Sequence, residues 1–296
     1  MSILNYVIWT VDPVALSVGP FEIRWYGLLL AFGFFFAYLT LCKIFKTENI
    51  SQQLCDKLSI WTIIWTIVGL RLGHFLFYEP EYFTSLKGIS EILLPIQDGQ
   101  FVGYQGLASH GAVIAITAFL CYFAWKYKMN TLWLCDRLAI IIPVAAGMVR
   151  IGNLMNHEIV GSITTVPWAF DFTLGGPGIA GTYRHPAQLY EACVYLLLYL
   201  CFVIYYFKFA KGKIPAGRTV GLIFFVIFTA RFIIEFFKEV QVSKEVGMTL
   251  DIGQILSIPI IIAGFVLVVY SIIHRDNIPV YKEIDWQKDK DKNKKK

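Results

Sequence analysis

Charged residues are scarce in this 296-residue sequence, where Asp, Glu, Lys and Arg together make up 16% of the chain. Hydrophobic residues account for 57%, and the mean hydropathy is +0.60. An ordinary soluble domain carries about 25% charged residues. The composition therefore excludes that class and predicts an integral membrane protein.

The sequence also lacks the polar and apolar alternation of membrane β-strands, which argues against a transmembrane barrel. Its apolar residues form continuous runs instead, and a run of about 18 residues or more can cross the hydrocarbon core as a helix. About seven such runs can be read, near residues 25–42, 58–77, 107–125, 132–149, 186–206, 219–237 and 254–273. We therefore expect an all-α, polytopic bundle of about seven transmembrane helices.

Patterns typical of disulfide frameworks and metal sites are missing as well. The six cysteines fall in predicted helices or at their predicted cytoplasmic edges, and none of them form a CxxC pair. The five histidines are scattered among different segments. Since structural metal sites need closely spaced Cys and His ligands, we expect neither a disulfide framework nor a metal.

Lysine and arginine are unevenly distributed over the segments between the predicted helices. Short cytoplasmic segments carry an excess of these residues. One alternate set is clearly richer, with Lys43, Lys46, Lys57, Lys126, Lys128, Lys208, Lys211, Lys213, Arg218 and the basic C-terminal tail. We therefore expect the N-terminus outside and the C-terminus inside, with a transmembrane catalytic domain over 1–275 and a basic cytoplasmic tail over 276–296.

With this orientation, most polar side chains in the apolar runs lie toward the outer ends of the helices. They include Tyr26, Arg71, His74, His110, Arg150, Asn153, His185, Gln188, Tyr190, Glu191, Arg231 and Glu235. Polar groups are expensive at membrane depth and mark functional sites. The pattern predicts one site that opens toward the outer leaflet, and a cytoplasmic half almost free of such groups.

The densest polar motif is VRIGNLMNHEIVG, residues 149–161, directly after an apolar run. Arg150 in this motif and Arg231 on another helix carry guanidinium groups, which match phosphate oxygens bidentately and stay charged. A phospholipid headgroup phosphate is their natural ligand at that depth. We expect two carboxylates, Glu158 and Glu235, to hold the arginines in place. Three polar side chains are expected to form hydrogen bonds with the headgroup, namely Asn153, Asn156 and Tyr26.

Other interpretations stay open at this point. Arg231 and Glu235 are spaced i, i+4 and suit a structural ion pair. A lipid-regulated seven-helix transporter or receptor is the main alternative, although carboxylates near the bilayer midplane are not evident. An intramembrane protease would need two facing aspartates or a paired nucleophile, and Asp136 and Asp251 fall at opposite predicted faces.

The motif resembles the signature of the prolipoprotein diacylglyceryl transferase family, G-R-x-G-N-F-x-N-x-E-x-x-G. Matching positions are Arg150, Gly152, Asn153, Asn156, Glu158 and Gly161, whereas Val149 and Leu154 replace the first glycine and the phenylalanine. Further similar segments are Arg24-Trp25-Tyr26-Gly27, the step Ser109-His110-Gly111, Arg184-His185-Pro186 with Gln188 to Glu191, and Arg231 with Glu235. Together they span roughly residues 20 to 270.

The resemblance implies transfer of the diacylglyceryl group of phosphatidylglycerol to the lipobox cysteine thiol of a preprolipoprotein. A thioether forms and glycerol phosphate leaves. It implies a multi-pass protein of the bacterial cytoplasmic (inner) membrane, with phosphatidylglycerol and the lipobox segment as partners and no nucleic acid. No nucleotide, metal or redox cofactor is expected.

The resemblance also implies roles for individual residues. Arg150 and Arg231 would stabilise the phosphate leaving group, and His110 is the candidate base for the thiol. Alternatively, the positive field of the arginines lowers the thiol pKa enough to make a base unnecessary. The substrate-binding residues would be Tyr26, Asn153, Asn156, Glu158, Gly161 and Glu235.

Overall fold

A computed structural model describes residues 6–19, 21–85, 88, 90, 92, 96–97, 100–101, 109–239 and 249–283. Of residues 21, 96–97, 100–101 and 109–110 it describes the backbone alone. The chain forms two compact units. Unit 1 consists of Met1–Glu48 and Leu132–Val280, and unit 2 consists of Asn49–Thr131 and Tyr281–Lys296.

Seven α-helices dominate the described residues, and they lie where the apolar runs predict them. Their bounds are α1 Trp25–Thr47, α2 Gln52–Tyr78, α3 Ser109–Lys126, α4 Thr131–Met155, α5 Ala187–Ile204, α6 Arg218–Glu235 and α7 Ile252–Ile273. A π-helical segment, Tyr205–Ala210, continues α5, and a short 3-10 helix, Pro80–Thr84, follows α2. The predicted mostly helical architecture is confirmed.

Five of these helices are long and apolar enough to cross a membrane: α1, α2, α4, α5 with its π-helical continuation, and α7. A shorter apolar helix covers Gly111–Lys126 within α3. Helix α6 has 18 residues but carries Arg218, Arg231 and Glu235. Large apolar side chains such as Phe35, Leu200 and Val266 are more than half exposed, as expected of helices that face lipid. The chain is a polytopic helical membrane protein.

Glycines let two pairs of helices approach closely. A Cβ on Gly264 of α7 would lie 2.5 Å from the backbone nitrogen of Phe225 in α6, and one on Gly221 would lie 2.9 Å from the nitrogen of Val268. In unit 2, a Cβ on Gly69 of α2 would lie 2.7 Å from the carbonyl oxygen of Gly111 in α3. Small residues at such contacts are typical of membrane helices, where backbones pack directly.

One expectation is wrong: the half of the helices predicted to be cytoplasmic contains a buried polar cluster. Glu48, just after α1, accepts hydrogen bonds from Arg137 Nε at 2.8 Å, from Trp133 Nε1 at 2.8 Å and from the Tyr206 hydroxyl at 2.6 Å. The neighbouring Asp136 accepts from the backbone nitrogens of Gly217, Thr219 and Val220 at the start of α6. These groups satisfy one another within unit 1, so they connect helix ends.

The described residues also form short strands, which the sequence did not indicate. Strand β1 (Val7–Trp9) pairs in parallel with β6 (Phe170–Phe172), and β6 pairs antiparallel with β7 (Tyr183–Arg184). Strands β2 (Val14–Val18) and β3 (Phe21–Arg24) form a hairpin before α1, and a third two-stranded ladder pairs β4 (Ile96–Gln97) with β5 (Gln100–Phe101). A small apolar core of Leu154, Val160, Phe170 and Phe172 packs against Val7 and Trp9 of β1.

Candidate active site

The motif of residues 149–161 forms the end of α4 and the turn that follows it. The helix ends at Met155, and the chain then turns through two residues with positive φ, His157 at 54° and Ile159 at 57°. A β-branched residue in this conformation is strained by about 1–3 kcal/mol. Such strain persists where surrounding contacts fix the backbone, and it is frequent at functional sites.

The N-terminal segment supplies those contacts. Trp9 in β1 donates from Nε1 to the carbonyl oxygen of Leu154 at 3.0 Å. The ring of His157 is buried, and its Nε2 lies 2.8 Å from the carbonyl oxygen of Val11. The motif is therefore fixed by residues about 145 positions earlier in the chain.

A chain of hydrogen bonds joins four of the predicted site residues. Arg150 donates from Nη1 to Asn153 Oδ1 at 3.1 Å, and Asn153 donates from Nδ2 to Glu158 Oε1 at 2.8 Å. Asn156 also donates to Glu158 Oε1, at 3.3 Å. Asn153 is buried and Glu158 is exposed, so the chain runs from the interior of unit 1 to its surface. The structure brings Arg150, Asn153, Asn156 and Glu158 together as predicted.

The carboxylate that pairs with Arg150 is Glu191 in the first turns of α5, and the prediction of Glu158 was wrong. Glu191 is fully buried, and its Oε2 contacts Nε of Arg150. Its Oε1 lies 2.8 Å from Nζ of Lys238, which is also buried. Glu158 lies beyond the helix end, where the two asparagine amides are within its reach and the Arg150 guanidinium is taken by Glu191.

Glu235 likewise pairs with a residue that the sequence reasoning did not choose. Its Oε2 lies 3.1 Å from Lys238 Nζ. Among the described residues Arg231 makes no ion pair, so the i, i+4 pair between Arg231 and Glu235 is not formed. Lys238 therefore bridges a carboxylate on α5 and a carboxylate at the end of α6.

Arg231 remains as a cation without a carboxylate partner within the described ranges. It is half-buried in α6, and both Arg231 and Arg150 exert an electrostatic effect on the hydroxyl of Tyr195 in α5. An anion held beside Tyr195 would therefore lie within the field of both arginines.

Tyr26 reaches the same region from the start of α1. The charges of Glu158 and Arg150 both act on its hydroxyl. A Cβ on Gly152 would lie 2.7 Å from Cδ2 of Tyr26. The glycine of the motif therefore permits close packing of the tyrosine ring on α4.

Gly161 closes the motif by backbone pairing with two other segments. Its nitrogen donates to the carbonyl oxygen of His185 at 2.9 Å, and it forms an antiparallel bridge with Lys238. A Cβ at this position would lie 2.5 Å from the oxygen of His185 and 2.6 Å from that of Phe237. Only glycine fits between these two carbonyl groups without a backbone shift.

His185 lies just before α5 and contributes its backbone to this arrangement. Its ring nitrogen Nδ1 lies 3.0 Å from the Tyr190 hydroxyl, and its ring packs against Phe237 with centroids 5.1 Å apart. Partial burial lowers the pKa of His185 from 6.5. The neutral form is therefore favoured in the folded protein.

Arg184 anchors the glycine-rich segment 174–181. Its guanidinium donates from Nη2 to the carbonyl oxygen of Gly178 at 2.5 Å and from Nη1 to that of Gly161 at 3.2 Å. It also pairs with Glu239 at 2.8 Å. Arg184 is buried, and it stabilises the connection between α4 and α5.

His110 belongs to unit 2, where it begins α3, and its side chain lies outside the described residues. The next residue, Gly111, packs against Gly69 and Gly73 of α2. Arg71 of α2 is buried and donates from Nε to the carbonyl oxygen of Ile92 at 3.1 Å. The structure thus fixes the backbone of His110 within unit 2, and its role as a base stays a prediction.

The sequence places Glu191 and Tyr190 in the predicted polar cluster without a role, and it does not single out Lys238. A signal for Glu191 was present, because a carboxylate within an apolar helix needs a cationic partner. No such signal existed for Lys238. Its contact depends on how the turn after α6 meets α5.

Known proteins are similar to this chain over most of its length. The family model for prolipoprotein diacylglyceryl transferase matches residues 13–270. A phosphatidylglycerol–prolipoprotein diacylglyceryl transferase from Bacteroides fragilis is 38% identical over 268 residues, which cover 89% of this chain and 94% of that protein.

Two further relatives carry the same name. The protein from Chloroherpeton thalassium is 37% identical over 273 residues, covering 92% of this chain and 97% of its own length. The protein from Tolumonas auensis is 38% identical over 264 residues, covering 89% and 96%. With the family model and these relatives each covering most of the chain, this membrane protein belongs to the prolipoprotein diacylglyceryl transferase family, a family of transferases.

Proposed function

We propose that this chain transfers the diacylglyceryl group of phosphatidylglycerol to the lipobox cysteine thiol of preprolipoproteins. The sulfur forms a bond to the glyceryl carbon that carries the phosphate, and the bond from that carbon to the phosphate oxygen breaks. The electron pair leaves with glycerol phosphate, and the thiol proton passes to a base. Family membership and the two arginines whose charges both act on the Tyr195 hydroxyl support this reaction.

The observation that carries the proposal is a contrast between two arginines, of which one contacts a carboxylate and the other has no carboxylate partner among the described residues. Arg150 is oriented by Glu191 and Asn153, whereas Arg231 has no ion pair among the described residues. A leaving phosphate gains negative charge as the carbon–oxygen bond breaks. Preorganised cations stabilise that charge more in the transition state than in the bound lipid. We therefore assign Arg150 and Arg231 to the leaving group.

The thiol must lose a proton, because the thiolate is the nucleophile and a free cysteine has a pKa of about 8.5. His110 is the proposed base. The positive field of the arginines is the alternative, since it would lower the thiol pKa directly. A displacement of this kind transfers no electrons to an external acceptor, so we propose no cofactor.

Six further residues are proposed to bind or orient the substrates. Asn153, Asn156 and Glu158 form one hydrogen-bonded chain beside Arg150, which suits recognition of the hydroxyl groups of a glycerol headgroup. The Tyr26 hydroxyl lies within the electrostatic field of Glu158 and Arg150. Gly161 and Glu235 both contact Lys238, the first by backbone pairing and the second by an ion pair.

We also propose the finer features of the membrane arrangement. Helices α3 and α6 would complete a set of seven spans, with the N-terminus outside and the C-terminus in the cytoplasm. Residues 1–275 would form the catalytic domain and 276–296 a basic cytoplasmic tail. The site would then lie at the outer side of the bacterial cytoplasmic (inner) membrane, where phosphatidylglycerol and the lipobox segment both arrive through the bilayer.

The test uses purified protein in detergent with phosphatidylglycerol and a lipobox peptide, and follows the peptide mass and the released glycerol phosphate. We expect a diacylglyceryl mass gain that requires the peptide cysteine and disappears in Arg150→Ala. A peptide with serine in place of the cysteine is the matched control. Binding of the lipid without any mass gain would overturn the proposal and favour a lipid-regulated transporter or receptor.

A further inference from the structure

The geometry points to Lys238 as a positioning residue for the phosphate site, acting through Glu191 on Arg150. This inference rests on the proposed function. Arg150 and Glu235 lie on different helices, and they are connected through Glu191 and Lys238. The result is an alternating series of charges, Arg150, Glu191, Lys238 and Glu235, that runs from α4 through α5 to the end of α6.

Burial makes this series sensitive to the loss of any member. Glu191 has no exposed surface, and the Lys238 side chain is 3% exposed. A buried ion whose partner is removed keeps its desolvation cost without compensation. Glu191 without Lys238 would therefore retain a single cationic partner, Arg150, and the two would be free to rearrange.

The orientation of Arg150 depends on where Glu191 is held. Glu191 occupies Nε of Arg150, and Asn153 accepts from Nη1 at 3.1 Å. These two contacts fix the plane of the guanidinium and leave other N–H groups for an anion. Because the second oxygen of Glu191 is held by Lys238, a shift of that carboxylate would turn the guanidinium away from the phosphate position.

The backbone of Lys238 is itself well placed for this task. Lys238 forms a bridge with Gly161, and the carbonyl oxygen of Phe237 accepts from the nitrogen of Ser162 at 2.8 Å. Gly161, the last residue of the motif, therefore fixes the backbone of Lys238, while Arg150 lies near the start of the same motif. Its ammonium group is buried and contacts two carboxylates, those of Glu191 and Glu235.

Charge balance gives a second reason. The site combines three cations, Arg150, Arg231 and Lys238, with three carboxylates, Glu158, Glu191 and Glu235. Loss of Lys238 would leave a net negative charge beside an anionic lipid. Both effects predict weaker lipid binding and a slower reaction.

The experiment compares Lys238→Met and Lys238→Arg with the unaltered full-length protein in the transfer assay, at saturating peptide and varied phosphatidylglycerol. We expect Lys238→Met to raise KM for phosphatidylglycerol by about tenfold or more and to lower kcat. Lys238→Arg should recover most of the activity, because a guanidinium can contact both carboxylates. Lys213→Met, at an exposed lysine outside the site, is the matched control and should leave both constants unchanged.

Folding is checked by size-exclusion chromatography and thermal unfolding, and Lys238→Gln replaces Lys238→Met if the latter aggregates. A purely structural role would reduce the folded fraction and leave KM of the folded protein unchanged, and that result would overturn the inference. An unaltered protein without transfer activity would instead overturn the proposed function. Failure of Lys238→Arg to recover activity in a folded protein would also contradict the positioning role.

Discussion

Gly161 occupies a position where the carbonyl oxygens of His185 and Phe237 leave no room for a side chain. Overpacking of this kind costs about 1–3 kcal/mol. We expect Gly161→Ala to lower the unfolding temperature and to reduce transfer activity, because the bridge to Lys238 must shift. Gly27→Ala is the control, since no atom of the described residues lies within 4 Å of a Cβ there. Equal stability and activity of the two variants would contradict this account.

His185 gives the site region a pH dependence whose sign is fixed by burial. Its folded pKa is lowered from 6.5, so below that pH the unfolded chain binds a proton that the folded chain resists. Its contribution to stability is present above pH 6.5 and is lost as pH falls through the folded pKa. Thermal unfolding between pH 7.5 and about 5 should therefore show a smaller loss in His185→Asn than in the unaltered protein.

The exposed His274 supplies the control for this measurement. His274→Asn should keep the pH dependence of the unaltered protein. If His185→Asn lost stability on acidification as steeply as His274→Asn, burial of His185 would not be the cause.

Residue spacing predicted the part of the site that one helix end contains. Arg150, Asn153, Asn156 and Glu158 lie within nine consecutive positions, so the turn after α4 brings them together. The partner of Arg150 could not be read in the same way. Glu191 comes from another helix, and its contact depends on the angle at which α4 and α5 meet.

At the scale of elements, Asp136 joins α4 to the start of α6. Its carboxylate accepts from three backbone nitrogens, those of Gly217 at 2.7 Å, Thr219 at 2.9 Å and Val220 at 3.0 Å. The first N–H groups of a helix have no partner within the helix, so this carboxylate caps α6. Removal of a cap costs about 0.5–2 kcal/mol, and burial increases the cost.

We therefore expect Asp136→Ala to lower the unfolding temperature clearly, whereas Asp276→Ala, at an exposed position after α7, should not change it. Thermal unfolding in the same detergent gives the comparison. The folded fraction should keep most of its transfer activity, because the cap lies far from Arg231 along α6. A variant of unchanged stability would show that the cap is dispensable.

The helices could be predicted because long apolar runs have few alternatives in a membrane protein. Their ends differed from the predicted bounds where polar residues extend them. Helix α2 begins at Gln52, six residues before the apolar run at 58, because Ser51 accepts a hydrogen bond from the nitrogen of Leu54 at 3.3 Å and caps it. The short strands could not be predicted, because β1 and β6 pair across more than 150 residues.

At the scale of the whole molecule, composition alone indicated a membrane protein, and five helices of sufficient length and apolarity confirm it. The direction in which the chain crosses the membrane stays a prediction from loop charges. The relation between fold and chemistry is clearer. Unit 1 contains eight of the nine predicted site residues, Arg150 and Arg231 among them, whereas His110 belongs to unit 2.

The central claim is that Arg150 and Arg231 act on the leaving phosphate, and the single-turnover rate of Arg231→Ala at saturating phosphatidylglycerol tests it most directly. The account predicts a fall of about 100-fold or more with a folded protein, since a preorganised charge at the leaving group is lost. Arg275→Ala, at an exposed arginine after α7, should retain the full rate. An unchanged rate in folded Arg231→Ala would contradict the claim.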